Sequence, residues 1–276
     1  MTAELLKPPL KPRQLLPRVG LFVLIAWPAL IVLPILMLPL AGQLIAATLS
    51  TFGAGMMANA IAARVYEHGE LSDFGLGWSP GAGREFFLGM GSGAGAAVLI
   101  LVLPLIFRVA TFQKQPGIEH PIAAALFVSI ALLFGAVGEE MLFHGYAFQV
   151  LTRSIGAFAT ILPVSIVFGV AHIGNAHSTL LGIFNTVIWG VLLGYACWSS
   201  GALWLPIGLH FGWNLALPLF GANLSGFTMG VTGYALHWSV GNLWSGGDYG
   251  PEGGLPTTAV VVALFWIVSR VGKERN

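Results

Sequence analysis

Charged side chains are scarce in this sequence, where Asp, Glu, Lys and Arg together make up 8% of the 276 residues. An ordinary soluble domain carries about 25%. Hydrophobic residues make up 56% of the chain. Because one water-soluble core of this size could not bury so much apolar surface, we expect lipid to surround most of the protein.

Cysteine and net charge are nearly absent as well. Cys197 is the single cysteine, which excludes an intrachain disulfide. The formal net charge is +1, so nothing indicates a nucleic-acid partner. We see no internal repeat and no separate soluble segment. Residues 1–276 are therefore interpreted as a single integral membrane domain, with its motifs in a core at about 120–220.

The sequence contains long apolar runs. A membrane-spanning helix needs roughly 17–25 mostly apolar residues, and the sequence predicts an all-α polytopic membrane bundle with about eight such helices. Their approximate ranges are 19–40, 43–63, 86–108, 122–152, 156–173, 178–198, 202–220 and 256–271. The first run is longer than the apolar core of a signal peptide, so we interpret it as a retained span.

The basic residues predict an orientation. Lys and Arg concentrate on the cytoplasmic side of membrane proteins. With eight spans and an internal N-terminus, the outer side holds only Arg108 and Lys114. The inner side then holds Lys7, Lys11, Arg13, Arg18, Arg64, Arg84, Arg153, Arg270, Lys273 and Arg275. This asymmetry predicts that both termini are cytoplasmic, and we expect a bacterial inner membrane.

Glycines recur every four residues in the third apolar run. Gly89 with Gly93, and Gly91 with Gly95, form overlapping pairs of small residues. Such pairs let two membrane helices approach closely. We therefore expect the third helix to pack tightly against another span.

A first cluster of ionisable residues lies in the fourth run, at Glu139, Glu140 and His144. Such groups cost about 2.5–3.5 kcal/mol on insertion scales, so they indicate a functional site or mutual pairing. Glu140 and His144 are four residues apart and share a helix face, where they can pair. Glu139 points about 100° away and is free to meet other spans. A carboxylate in that position suits a general base.

Two further clusters follow in later spans. Phe168 and His172 share one face of the fifth helix, and His210 and Asn214 share one face of the seventh. A His and an Asn on one face offer two neutral hydrogen-bond donors for a developing oxyanion. Taken singly, each histidine is explained by a hydrogen bond to a neighbouring carbonyl. The three clusters together favour a common site, while a proton relay is the alternative.

In order and spacing, the motifs resemble those of a known family. They read EEMLFH at 139–144, FGVAH at 168–172 and HFGWN at 210–214. They are similar to the Glu-Glu-xxx-Arg, Phe-xxx-His and His-xxx-Asn motifs of the CAAX prenyl protease and bacteriocin-processing family. This family, also called CPBP or Abi, includes the Ras-converting type of prenyl endopeptidase.

The resemblance implies a glutamate-dependent intramembrane endopeptidase that uses no metal and no other cofactor. By the same resemblance, Glu139 activates water with help from His172, while His210 and Asn214 form an oxyanion hole. The supporting residues are Glu140, His144 and Phe168. The implied substrate is a prenylated C-terminus, a peptide leader or another membrane-bound protein.

One residue departs from the family motif, because His144 stands where the family has arginine. Histidine titrates near neutral pH, whereas arginine stays charged and can hold a carboxylate with two hydrogen bonds. A specialised or inactive member is therefore an alternative, as is a proton-responsive transporter or a non-catalytic scaffold. A zinc-dependent variant is a further alternative, although the His-Glu-x-x-His motif is absent.

A shared site also requires the motifs to lie at one depth in the membrane. We expect this to need an unbroken fourth helix reaching about Arg153, and an interruption of the fifth helix at Pro163. The glycine-rich segment at 241–254 contains Asp248 and Glu252. It is interpreted as an exposed, turn-rich loop, with ligand binding or a lid as the alternative.

Overall fold

The computed structural model describes residues 7–115, 117 and 119–273, with side chains up to residue 270. Arg275, the side chain of Lys273 and both chain ends lie outside this description, although they belong to the predicted inner side.

The described chain is a bundle of α-helices, as predicted. The helices are α1 (Pro12–Glu67), α2 (Ala82–Ile106), α3 (Pro121–His144), α4 (Tyr146–Ile155), α5 (Ala157–Ala171), α6 (Leu180–Ser200), α7 (Trp204–Leu219), α8 (Asn242–Ser245) and α9 (Leu255–Lys273). Single 3₁₀ turns occur at Leu71–Phe74, Gly247–Tyr249 and Pro251–Gly253. Four helical segments of the described chain are long and apolar enough to cross a membrane: α1, α2, α3 with α4, and α6. The count of eight spans stays a prediction.

The first two predicted segments meet at a kink inside α1. Gly42 has φ 76° and ψ 173°, which is not helical and separates residues 12–41 from 43–67. Glycine adopts this backbone conformation at little cost because it lacks a Cβ atom. The kink lies between the predicted ranges 19–40 and 43–63.

The predicted unbroken fourth helix is wrong, because α3 ends at His144 and α4 begins at Tyr146. Asn59 of α1 explains the break. Its Nδ2 donates to Met141 O at 2.8 Å, and its Oδ1 accepts from Tyr146 N at 2.7 Å. These bonds satisfy backbone groups that a helix end leaves without partners.

The predicted interruption of the fifth helix is also wrong. Helix α5 runs from Ala157 to Ala171 through Pro163 without a break. A proline inside a helix removes one backbone hydrogen bond, and here the helix continues despite that loss.

Helices α2 and α7 pack backbone to backbone through small residues on both sides. A Cβ atom added at Gly89 or Gly93 would collide with backbone atoms of Leu205 or Leu209. The reverse holds for Gly208 and Gly212, which face the backbone of Phe86 and Met90. The predicted close contact is therefore made by Gly89 and Gly93, while Gly91 and Gly95 face open space.

A small two-stranded sheet accompanies the helices and was not predicted. Strand β1 (Ala110–Lys114) pairs antiparallel with β2 (Tyr234–Trp238), with Ala110 opposite Trp238. The sheet ties the connection between α2 and α3 to the segment that follows α7.

A network of charged side chains joins the ends of several helices. Glu67 accepts hydrogen bonds from Arg18 Nε at 2.8 Å and Lys7 Nζ at 3.2 Å, and Arg153 Nη2 lies 3.5 Å away. These three basic residues all belong to the predicted inner set. They therefore lie on one side of the molecule, as that prediction requires.

Candidate active site

The motif residues meet at one cavity of about 660 Å³. Its wall includes Glu139 from α3, His172 at the end of α5, and His210 and Asn214 from α7. The structure thus brings together the residues that the sequence singled out, even though α3 is shorter than expected. After the break at Gly145, α4 continues the predicted fourth segment to Ile155.

Glu139 faces two histidines from other helices. Its Oε2 atom lies 3.8 Å from His172 Nε2 and 3.7 Å from His210 Nε2. Direct N–H···O bonds measure about 2.7–3.2 Å, and Oε2 has no hydrogen-bond partner among the described residues. These separations are compatible with a water molecule that bonds both the carboxylate and a histidine.

Glu140, in contrast, is fully buried and fully engaged. Its Oε2 is 2.7 Å from His144 Nδ1, and its Oε1 is 2.8 Å from His210 Nδ1. The first contact is the pair expected from the i, i+4 spacing. The second joins α3 to α7, and no local pattern indicates it because the two residues are 70 positions apart.

The partners of the histidines fix where their protons lie. His172 Nδ1 donates to Phe168 O at 2.8 Å, since a carbonyl oxygen only accepts. His210 Nδ1 likewise donates to the carboxylate of Glu140. In the neutral ring, Nε2 of each histidine is then an acceptor. His210 can therefore donate from Nε2 only as an imidazolium, which differs from the neutral donor that the spacing suggested.

Phe168 packs against both of these imidazoles. Its buried ring lies 4.8 Å from the ring of His172 and 6.2 Å from that of His210, measured between centroids. Phe143 contacts it edge-on at 4.9 Å. This packing restricts the rotamers of the two histidines.

Asn214 lies one helical turn after His210 and lines the same cavity. Among the described residues, its side-chain amide makes no hydrogen bond. The amide is therefore available to donate to a group bound in the cavity.

Comparison with models of known families matches residues 120–216 to the type II CAAX prenyl endopeptidase Rce1-like family. The match contains all three motifs. The match supports membership of the CPBP family. No curated protein matches the chain. Together with the apolar helices, the family identifies an integral membrane protein of a protease family.

One ionisable residue of the described cavity lining, Glu252, lies outside the family match. Glu252 was assigned to an exposed loop, but it is only 8% exposed and lines the cavity. It accepts hydrogen bonds from Trp213 and Ser225, so the loop folds inward against α7. The interpretation as an exposed loop is therefore wrong for Glu252 and holds for the exposed Asp248.

The described part of the chain contains no group of three or more His, Cys, Asp or Glu side chains placed to hold a metal ion.

Proposed function

We propose that this CPBP protein is an intramembrane endopeptidase in which Glu139 activates a water molecule. The observation that carries the proposal is the meeting of Glu139, His172, His210 and Asn214 on one cavity wall. The three helices that supply them are far apart in sequence, and a purely structural role would not require all four residues to face the same space.

The reaction follows from these positions. Glu139 removes a proton from a water molecule that also donates a hydrogen bond to His172 Nε2. The resulting hydroxide attacks the carbonyl carbon of the substrate, and His210 and Asn214 donate hydrogen bonds to the new oxyanion. When the C–N bond breaks, the proton held by Glu139 passes to the leaving nitrogen, which restores the carboxylate.

Glu140 and His144 support the charge that this role requires of His210. His144 is buried, and its Nε2 has no partner among the described residues. Through Nδ1, His144 contacts Glu140 and holds this carboxylate beside His210. The negative charge of Glu140 can then balance an imidazolium at His210. An arginine at position 144 would carry a permanent charge and compete for the same carboxylate.

The cavity walls favour an apolar substrate. Beside the polar groups, α1 contributes Trp27, Leu30 and Ile31, and α5 contributes Val167 and Val170. Trp27 is 67% exposed, so this wall continues onto the outer surface of the bundle. A membrane-bound protein, a peptide leader or a prenylated C-terminus fits such a surface.

Glu139→Gln tests the proposal. Purified protein in lipid nanodiscs would be incubated with membrane-anchored peptides, and products would be identified by mass spectrometry. We expect cleavage to fall at least about 10²–10⁴-fold, the usual contribution of a general base. The matched control is Glu70→Gln, an identical change at an exposed site, which should retain cleavage.

Three outcomes would overturn the proposal. Undiminished cleavage by Glu139→Gln would remove its assigned role. Proton-coupled solute uptake in liposomes that depends on Glu139, without any peptide cleavage, would favour the transporter. Cleavage that is lost with a chelator and restored by zinc would favour the zinc-dependent variant.

A further inference from the structure

Among its contacts in the described chain, the Glu252 carboxylate in the cavity wall has no Lys or Arg partner. Its Oε1 accepts from Trp213 Nε1 at 3.0 Å, and its Oε2 accepts from Ser225 N at 2.6 Å and Ser225 Oγ at 2.7 Å. All of these donors are neutral. A carboxylate offers about four acceptor positions, so one of them remains open. Lys7, Arg18 and Arg153 form ion pairs with Glu67.

The cavity lining carries more negative than positive charge. Its titratable residues in the described chain are Glu139, Glu252, His172 and His210, without Lys or Arg, so the two carboxylates outweigh an imidazolium at His210. Next to this wall, burial and the charge of Glu252 raise the pKa of Tyr249 to about 12, so Tyr249 is neutral. A cavity with an excess of one sign of charge and low-dielectric walls attracts ligands of the opposite sign.

Two tryptophans complete this corner of the cavity. The rings of Trp189 and Trp213 lie 4.9 Å apart between centroids, and both residues line the cavity. Indole faces attract cations, guanidinium groups in particular. Trp189 is 6% exposed, and its Nε1 has no hydrogen-bond partner among the described residues. A peptide carbonyl is the kind of acceptor that this N–H lacks.

The corner is connected to the candidate active site through α7. Trp213, which donates to Glu252, lies between His210 and Asn214 in the sequence. A peptide whose carbonyl meets His210 and Asn214 can therefore place a neighbouring side chain near Glu252.

We propose that Glu252, with Trp189 and Trp213, forms a subsite that binds a Lys or Arg side chain of the substrate close to the cleaved bond. The peptide nature of this ligand rests on the proposed function, while the preference for a cation rests on the charges and aromatic rings of the subsite.

Substrate profiling tests the preference. The wild type, Glu252→Gln and Trp213→Phe would be given a proteome-derived peptide mixture in nanodiscs, and cleavage sites would be read by mass spectrometry. We expect Lys and Arg to be enriched at one position near the wild-type cleavage sites. Replacing that Arg by citrulline in a cleaved peptide should lower kcat/KM about tenfold or more.

The two variants distinguish the effect of losing the charge at Glu252 from the effect of disturbing the local structure. Glu252→Gln removes the charge and should abolish the discrimination between Arg and citrulline. Trp213→Phe removes a hydrogen bond but keeps the charge, so discrimination should persist even if overall cleavage falls. If Glu252→Gln fails to fold, as judged by its thermal midpoint, Glu252→Asp replaces it and should retain the preference. Equal discrimination in wild type and Glu252→Gln would overturn the proposal.

A binding measurement tests the subsite without catalysis. Octylguanidinium, with octanoate as the anionic control, would be added to Glu139→Gln and to Glu139→Gln/Glu252→Gln in nanodiscs. We expect the cation to raise the thermal midpoint of the single variant only. An equal shift in both variants would overturn the subsite. Cation binding that depends on Glu252, together with no cleavage of any peptide by the wild type, would instead reject the proposed function and leave the subsite standing.

Discussion

At the scale of single residues, the two adjacent glutamates have opposite environments. Glu139 is 25% exposed, and its Oε2 has no hydrogen-bond partner in the described chain. Glu140 is 0% exposed and accepts hydrogen bonds from His144 and His210. Removing a partner from a buried polar group costs about 1–3 kcal/mol. The same chemical change should therefore have different effects at these two positions.

We predict that Glu140→Gln lowers the stability of the protein by about 1–3 kcal/mol, because an amide cannot accept from both histidines with its single oxygen. Glu139→Gln should leave stability unchanged or raise it, since functional sites are often kept at a cost in stability. Thermal midpoints in detergent would compare the two variants. A larger loss for Glu139→Gln would contradict this assignment.

The sequence was enough to predict different roles for the two glutamates, but not all of their hydrogen-bond partners. The helical repeat was enough to pair Glu140 with His144 and to turn Glu139 away. The bond from His210 to Glu140 depends on how α3 and α7 pack, which no local spacing specifies. Glu252 was missed for a similar reason, because glycines around it suggest an exposed turn while its burial depends on Trp213 and Ser225.

At the scale of elements, contacts between distant helices decide where helices end. The break at Gly145 lies in an apolar run without proline, so periodicity predicts a continuous helix there. Its stabilising partner, Asn59, is 82 residues away from Met141, to which it donates. The glycines of α2 were easier to interpret, because a small-residue repeat directly favours close packing.

Gly93→Ala should destabilise the bundle by about 1–3 kcal/mol, the usual cost of overpacking, because the added methyl group meets the backbone of α7. The matched control is Gly91→Ala, where the structure leaves open space. There the higher helix propensity of alanine should stabilise α2 slightly. Thermal midpoints of the two variants would check this, and equal shifts would argue against the packing of α2 on α7.

At the scale of the whole molecule, ion pairs bring basic residues from several helices together on one side of the bundle. Lys7, Arg18 and Arg153 all contact Glu67, although they come from three separate parts of the sequence. The positive-inside tendency then predicts that this side faces the cytoplasm. By that prediction, the β1–β2 sheet lies on the opposite face of the membrane.

Cysteine labelling would determine this orientation. Cys197 is the only native cysteine and is buried, so the background should be low. Ser79→Cys lies in the exposed connection between α1 and α2, and Gln113→Cys lies on β1. In right-side-out vesicles, a membrane-impermeant maleimide should label Gln113→Cys only, and in inverted vesicles Ser79→Cys only. Labelling of both from the same side would reject the eight-span arrangement.

The cavity wall is formed by residues from inside and outside the segment that matches the family. The residues proposed for chemistry fall within the family match at 120–216, but much of the surface around them does not. Trp27, Thr48 and Thr51 precede the match, and Met229 and Glu252 follow it. Two proteins that share the matched segment can therefore perform the same reaction on different substrates. Assigning a substrate by family membership alone would be unreliable for this chain, whereas exchanging the flanking segments between relatives offers a route to changing what is cleaved.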